Sequence, residues 1–285
     1  MALSSTTELL IRAPYVLSKK LGLLKLPFVE KLFIAAYFLY KRHLEDPFYQ
    51  LTRLYPQLFK NGHIIDVGAN IGFTSSLFVQ HCTEGYAVHA FEPSRDNFRL
   101  LNETNRAAIK RRKLLAHQRG VGAYQQTVSL RLNDHHHGDH RILTTAYKAQ
   151  LASNDKAATH EIQIVSLDEY CRELSPVSFI KIDVQGYELE VCKGMTSVLA
   201  NNPHCAIAFE VCERALNDLG FSTRELISFF INRSYVLFKL NNNGSLDQLS
   251  PSEESLIALE QCAYVDVIAL KADNPLIDYV RARYV

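Results

Sequence analysis

A chain of 285 residues and 32.4 kDa is long enough for one large α/β domain with a small terminal addition. Its 47% hydrophobic and 21% charged residues describe an ordinary folded globule and exclude a disordered chain. Formal net charge is +1, from 31 basic and 30 acidic residues, so no global field gathers nucleic acid and no nucleic-acid partner is expected.

Residues 1–60 lack strand alternation and read as an N-terminal helical segment, broken by Pro14, Pro27, Pro47 and Pro56. The longest charge-free apolar run, Leu32 to Tyr40, is bounded by Lys31 and Lys41 and falls far short of the roughly 20 residues that span a bilayer. No small-residue cleavage site follows it, so no transmembrane segment or secretory signal is expected. Lys19, Lys20, Lys25, Lys31, Lys41 and Arg42 interleave with Leu and Phe. Two readings stand: helices packed on the following domain, which is favoured, and an amphipathic helix in weak contact with a membrane surface. The six cysteines form no Cys-x-x-Cys pair and read as scattered thiols of a reducing compartment, which points to the cytoplasm.

From Asn61 onward strands alternate with helices, the pattern of a mostly parallel sheet covered on both faces. The expected order begins with a strand over 63–68, a glycine turn and a helix over about 72–81. A second strand over 87–92 leads to a helix opened by Ser94, whose hydroxyl suits an N-cap. A third strand covers about 114–121. Between 127 and 165 the pattern becomes irregular, with antiparallel alternation at Val128, Leu130 and Leu132 and again at Ile162 and Ile164. This is expected to be an inserted, substrate-facing region. A strand at 179–183, a helix over 187–199, a strand at 206–210 and a helix over 223–232 follow. Late strands at 235–238 and 264–270 predict an antiparallel pair at one sheet edge. The fold class is therefore α/β, a Rossmann-like seven-stranded sheet over residues 61–285.

The sharpest motif is Asp66-Val67-Gly68-Ala69-Asn70-Ile71-Gly72 between a strand and a helix. Glycine there allows positive φ and close approach of a ligand to the backbone. Asp66 would repel a pyrophosphate but suits the amino group of a cationic amino-acid cofactor, and Gly-x-Gly-x-x-Gly is absent. Glu92 ends the next strand, where a carboxylate can accept from both ribose hydroxyls. Asp183 ends a central strand and faces the crevice of an open α/β sheet. Glu188 lies in the next helical turn, where capping and an active-site role are both open. Lys181 reads as a structural ion-pair partner, and Glu210 ends another strand near the same crevice.

Asp66 to Gly72, Ala90-Phe91-Glu92-Pro93, Val165 to Tyr170 and Lys181 to Glu188 together resemble the FkbM family of methyltransferases, in order and spacing over about 45–215. Gly138-Asp139-His140-Arg141-Ile142 also resembles a pattern of some members, whereas Gln185 stands where many carry glutamate. The resemblance implies a Rossmann-like methyltransferase fold and S-adenosylmethionine as donor. Its acceptor would be a small molecule or glycan, methylated on oxygen. On that reading Asp66, Gly68, Ala69, Asn70, Gly72, Glu92 and Asp183 hold the donor. An unactivated alcohol needs a base near its proton, and His140 or Asp183 takes that role, with Asp139 and Glu188 as further catalytic candidates. The alternatives are a non-catalytic adenosyl-binding protein of the same fold and a nicotinamide-dependent oxidoreductase. His135, His136, His137 and His140 read as a polar loop rather than a metal site, because no Cys or Glu is spaced to complete one.

Overall fold

The computed structural model describes residues 27–42, 46–133, 140–151 and 157–283. The chain divides into two compact units, Met1–Asp46 and Pro47–Val285. In the first, the described element is the helix Pro27–Tyr40. In the second, β1 (His63–Val67), β2 (Val88–Phe91), β3 (Leu114–His117), β8 (Val177–Ile182) and β9 (Ala206–Val211) form the parallel part of a large sheet. The late strands β10 (Tyr235–Leu240), β11 (Leu246–Gln248) and β12 (Val265–Lys271) complete it in the order β11-β10-β12-β9-β8-β1-β2-β3. β12 runs antiparallel to both β9 and β10, which is the late antiparallel arrangement expected. The short β11, returning through the Asn241–Gly244 turn, adds an eighth strand to the seven read from the sequence.

Alternation along the strands divides the core. Ile65, Val67, Phe91, Ile182 and Phe209 belong to the core of one face. On the other, Phe179 of β8 meets Phe59 at 4.4 Å and Phe78 at 5.4 Å between ring centroids. Phe59 lies in the short 3-10 helix Pro56–Phe59 and Phe78 in the helix Phe73–His81. The segment 47–60, grouped with the N-terminal helices by composition, is thus packed into the sheet-bearing unit by its own aromatic anchor.

Two expected elements are each divided. The strand predicted over 114–121 leaves the main sheet after His117: Arg119 donates back to the His117 carbonyl at 2.9 Å, and Gly120–Val121 becomes β4 of a second sheet. The helix predicted over 187–199 breaks into Glu188–Lys193 and Thr196–Asn201. At the break, a Cβ on Gly194 would lie 2.0 Å from the Gly122 carbonyl oxygen, so the backbones touch directly.

The second sheet is the inserted region. β4, β5 (Gln126–Arg131), β6 (Arg141–Ile142) and β7 (Thr159–Val165) lie in the order β4-β7-β5-β6. Leu130, Ile142, Ile162 and Ile164 pack with Tyr187, just beyond the carboxyl end of β8, and with Leu219, at the end of the helix that follows β9. The insertion is thereby seated beside the ends of the central strands, where open α/β sheets bind ligands. All six cysteines are unpaired, and among the described residues no helix is long and apolar enough to cross a membrane.

Candidate active site

The chain runs from β1 outward to β2 and β3 and returns to β8 on the other side of β1, so the topological switch point lies between β1 and β8. There the two following loops touch. Asp183 N–H donates to the Val67 carbonyl at 3.0 Å, and a Cβ on Gly68 would fall 1.8 Å from the Asp183 carbonyl oxygen. Gly68 has φ +78° and Gly72 φ +85°, with Asn70 between them at +50°. Gly68 and Ala69 each donate N–H to the Phe91 carbonyl at 3.0 Å, which ties the turn to the end of β2.

Around this turn lie polar groups with bonding capacity left over. Asp66 is fully buried; one carboxylate oxygen accepts from the Ser75 hydroxyl at 2.6 Å and the other has no partner. Asn70 also carries a buried side-chain oxygen without a partner. A buried acceptor left unmatched costs about 1–3 kcal/mol, so such atoms mark where a ligand's donors belong. Burial raises the Asp66 carboxyl above its ordinary range, against the Lys181 charge and the Ser75 bond that lower it. A cation beside it would reverse that shift.

Glu92 stands just past β2 and is buried. Its two oxygens accept the backbone N–H groups of Asn70 and Ser94, each at 2.9 Å, and with the Asn97 side chain as a third donor about one of its four lone-pair sites is left over. Burial pushes it up to about 7, against the bonds from Ser94, Asn70 and the Asn97 side chain. Ser94 caps the helix Arg95–Thr104 by position only. Its hydroxyl makes no cap bond, and its N–H donates to Glu92. Asn97 was missed in the sequence although it stands in the first turn after Glu92; its buried Oδ1 also lacks a partner.

At the end of β8, Lys181 is buried and its Nζ donates to Asp183 Oδ2 at 3.0 Å. Burial disfavours that ammonium, but Asp183 and Asp66 outweigh the penalty and hold it charged. Gln185, at φ +56°, donates through one amide nitrogen to Asp183 Oδ1 and Glu210 Oε2, both at 3.2 Å. Burial, with Asp183 and Asp266 nearby, raises Glu210 well above the usual carboxylate range. Gln185 therefore bridges two carboxylates that a glutamate at 185 would repel. Glu188 is placed differently from the catalytic expectation. It is 1% exposed and its Oε1 accepts from the N–H groups of Val184 and Gly186 at 3.0 and 3.2 Å, so it braces the loop from beneath. These bonds to the amides of its own turn are the capping arrangement, one of the two roles open to it.

His140 enters β6 from the insertion. Its Nδ1 accepts from Asn133 N–H at 3.0 Å, which leaves Nε2 as the protonated nitrogen of a neutral ring. Next to it Arg141 pairs with Asp218 at 2.5 Å and fixes β6 to the helix Glu213–Leu219, which begins directly after β9. Asp139, with His135 to His137, lies outside the described residues. The structure thus brings Asp66, Gly68, Ala69, Asn70, Gly72, Glu92 and Asp183 together around the turn that follows β1 and anchors His140 on the insertion. Among the described residues no His, Cys, Asp and Glu side chains gather as a metal cluster.

Comparison with known proteins gives the same chemistry a family. The family model described as the methyltransferase FkbM domain matches residues 66–237. The hexuronic acid methyltransferase AglP of Haloferax volcanii is 31% identical over 140 residues, 47% of this chain and 50% of that protein, so the chain matches only half the length of this curated relative. Among solved structures, the methyltransferase FkbM from Methylobacillus flagellatus is similar at 17% identity and a TM-score of 0.46, over 82% of this chain and 53% of that one. The O-methyltransferase TomG from Streptomyces achromogenes, solved with SAM, aligns at 9% identity and a TM-score of 0.43 over 78% of each chain. Both scores are too low to establish a shared fold, which rests on the strand order itself.

Proposed function

The chain belongs to the FkbM family of methyltransferases, and from that premise we propose that it transfers a methyl group from S-adenosylmethionine to a hydroxyl oxygen of a sugar or related small molecule. The observation that carries the reading is the convergence of unmatched buried acceptors, Asp66 Oδ1 and Asn70 Oδ1, beside the left-handed turn and the Glu92 carboxylate. These residues fit the donor: Asp66 and Asn70 suit its ammonium group, and Glu92 retains a lone pair for a ribose hydroxyl. The relative that acts on a hexuronic acid makes uronic acids the first acceptor class to assay. The unpaired thiols support a reducing, cytoplasmic setting.

When bound, the sulfonium supplies an electrophilic methyl group and becomes a neutral thioether as the new bond to oxygen forms. The chain's own task is alignment of the acceptor oxygen, an effect worth several kcal/mol, about 7 or more in favourable cases. The hydroxyl proton needs a receiver. Asp183, held by Lys181 and Gln185, is the first candidate, and His140 on the insertion is the second, able to take a proton only by releasing the Nδ1 bond from Asn133. Asp183→Asn and His140→Ala are expected to keep affinity for the demethylated donor within a few-fold, while at least one lowers turnover by about a hundredfold.

The test is methyl incorporation from isotopically labelled donor into a panel of uronic acids and their glycosides. Labelled methyl ether is the expected product. A methyl ester would move the acceptor from hydroxyl to carboxylate and overturn the O-alkyl assignment. Donor binding without transfer to any acceptor would favour a non-catalytic binding protein.

A further inference from the structure

We propose that the helix Pro27–Tyr40 seats this protein on an anionic membrane surface, lying along the bilayer rather than through it. The helix carries Phe28, Leu32, Ala35, Ala36 and Leu39 at spacings of four, seven, eight and eleven residues, which places them in one stripe. All five are exposed, Phe28 at 77%, Leu32 at 62% and Leu39 at 61%. Among the described residues of the other unit the exposed large hydrophobics are scattered: Leu54, Leu115, Ile231 and Ile257 stand on four separate elements, and Tyr124 and Tyr264 in two separate loops. A continuous apolar stripe demands a partner where scattered residues do not.

Length and charge identify that partner. Fourteen residues extend about 21 Å, short of the roughly 30 Å hydrocarbon core, so the helix fits the interfacial plane. Residues 1–42 contain seven Lys or Arg against two Glu, whereas the rest of the chain contains 24 against 28. Lys41 and Arg42 follow the helix directly. Pairing two copies of so cationic a segment brings like charges together, while anionic headgroups neutralise them. Apart from Glu30 and Lys31 the helix is apolar all round, so the cations flanking it, Lys41 and Arg42 among them, meet the headgroups while its exposed stripe enters the acyl boundary.

The experiment is co-sedimentation of the full chain with vesicles of phosphatidylcholine alone, or of phosphatidylcholine with about one part in three phosphatidylserine, at low salt. The serine-containing vesicles should be bound at least about tenfold more tightly. Phe28→Glu/Leu32→Glu, and separately Leu39→Glu, should weaken that binding by about tenfold or more with an unchanged thermal midpoint. Absence of binding, equal binding to both vesicles, or full binding by variants that remain folded would overturn the proposal. So would a dimer, seen by light scattering, that the variants dissolve while vesicles are ignored. Because the readout is adsorption, it stands apart from whether the chain transfers a methyl group.

Discussion

Two buried polar clusters lie on the same sheet, and they differ in what they leave unfinished. Around the β1 and β2 ends, Asp66, Asn70 and Asn97 each keep a buried oxygen without a partner. Under the short helix Leu167–Tyr170, by contrast, His63, His89, Tyr170 and His117 form a closed chain. His89 bonds Tyr170 at 2.7 Å and His63 at 3.0 Å, and Tyr170 bonds His117 at 2.8 Å. Three histidines and a tyrosine resemble a reactive site more than two amides and an acid do. Yet the histidine chain satisfies itself, and the first cluster is completed only by something from outside. Unmatched capacity, rather than the presence of reactive side chains, marks the ligand site.

The comparison can be broken most forcefully at the turn. Gly68→Ala places a Cβ on the Asp183 carbonyl oxygen at a positive φ, and should cost about 3 kcal/mol or more in denaturant unfolding. Next in size, Asp66→Ala should reduce affinity for the demethylated donor by about a hundredfold, since a hydrogen-bonded charge interaction of about 1.5–3 kcal/mol is removed. His89→Phe should do the reverse, costing about 1–3 kcal/mol of stability and leaving that affinity within twofold.

Acidity separates the clusters further. Burial lowers His63, His89 and His117, His89 to about 3, so the unfolded chain binds protons that the folded chain refuses. Their contribution is present above the ordinary histidine value of about 6.5 and declines as pH falls below it. Glu92 and Glu188, raised to about 7, act oppositely: folding gains from their protonation as pH drops from about 7 toward the ordinary glutamate range. Unfolding measured across this window should lose the His89 share of its histidine component in His89→Phe. In calorimetry, donor-product affinity should strengthen as pH rises through about 7, because ribose hydroxyls prefer the ionised Glu92, and Glu92→Gln should flatten that profile. The smallest effect expected is Ser94→Ala. Its hydroxyl makes no cap bond, so the usual loss of about 1 kcal/mol should shrink to a few tenths.

The parts of the site legible in the sequence are those made by neighbours in the chain. Asp66 to Gly72 is a strand, a turn and a helix start within a dozen residues, and both glycines take the positive φ that their spacing predicts. Glu92 at the next strand end follows from the same regularity. What escaped the sequence depends on contacts between distant segments. Gly194 breaks a helix because the Gly122 backbone lies against it, and Gln185 matters because Glu210 stands beyond it. Glu188 illustrates the limit from the other side: its position in a first helical turn allowed two roles, and the bonds it accepts from the amides of Val184 and Gly186 could not be read from spacing.

The most direct measurement is a calorimetric titration of the purified chain with S-adenosylhomocysteine, alongside Asp66→Ala. The account predicts one site per chain that weakens about a hundredfold in the variant. Absence of heat at millimolar ligand, or equal affinity in the two proteins, would contradict it.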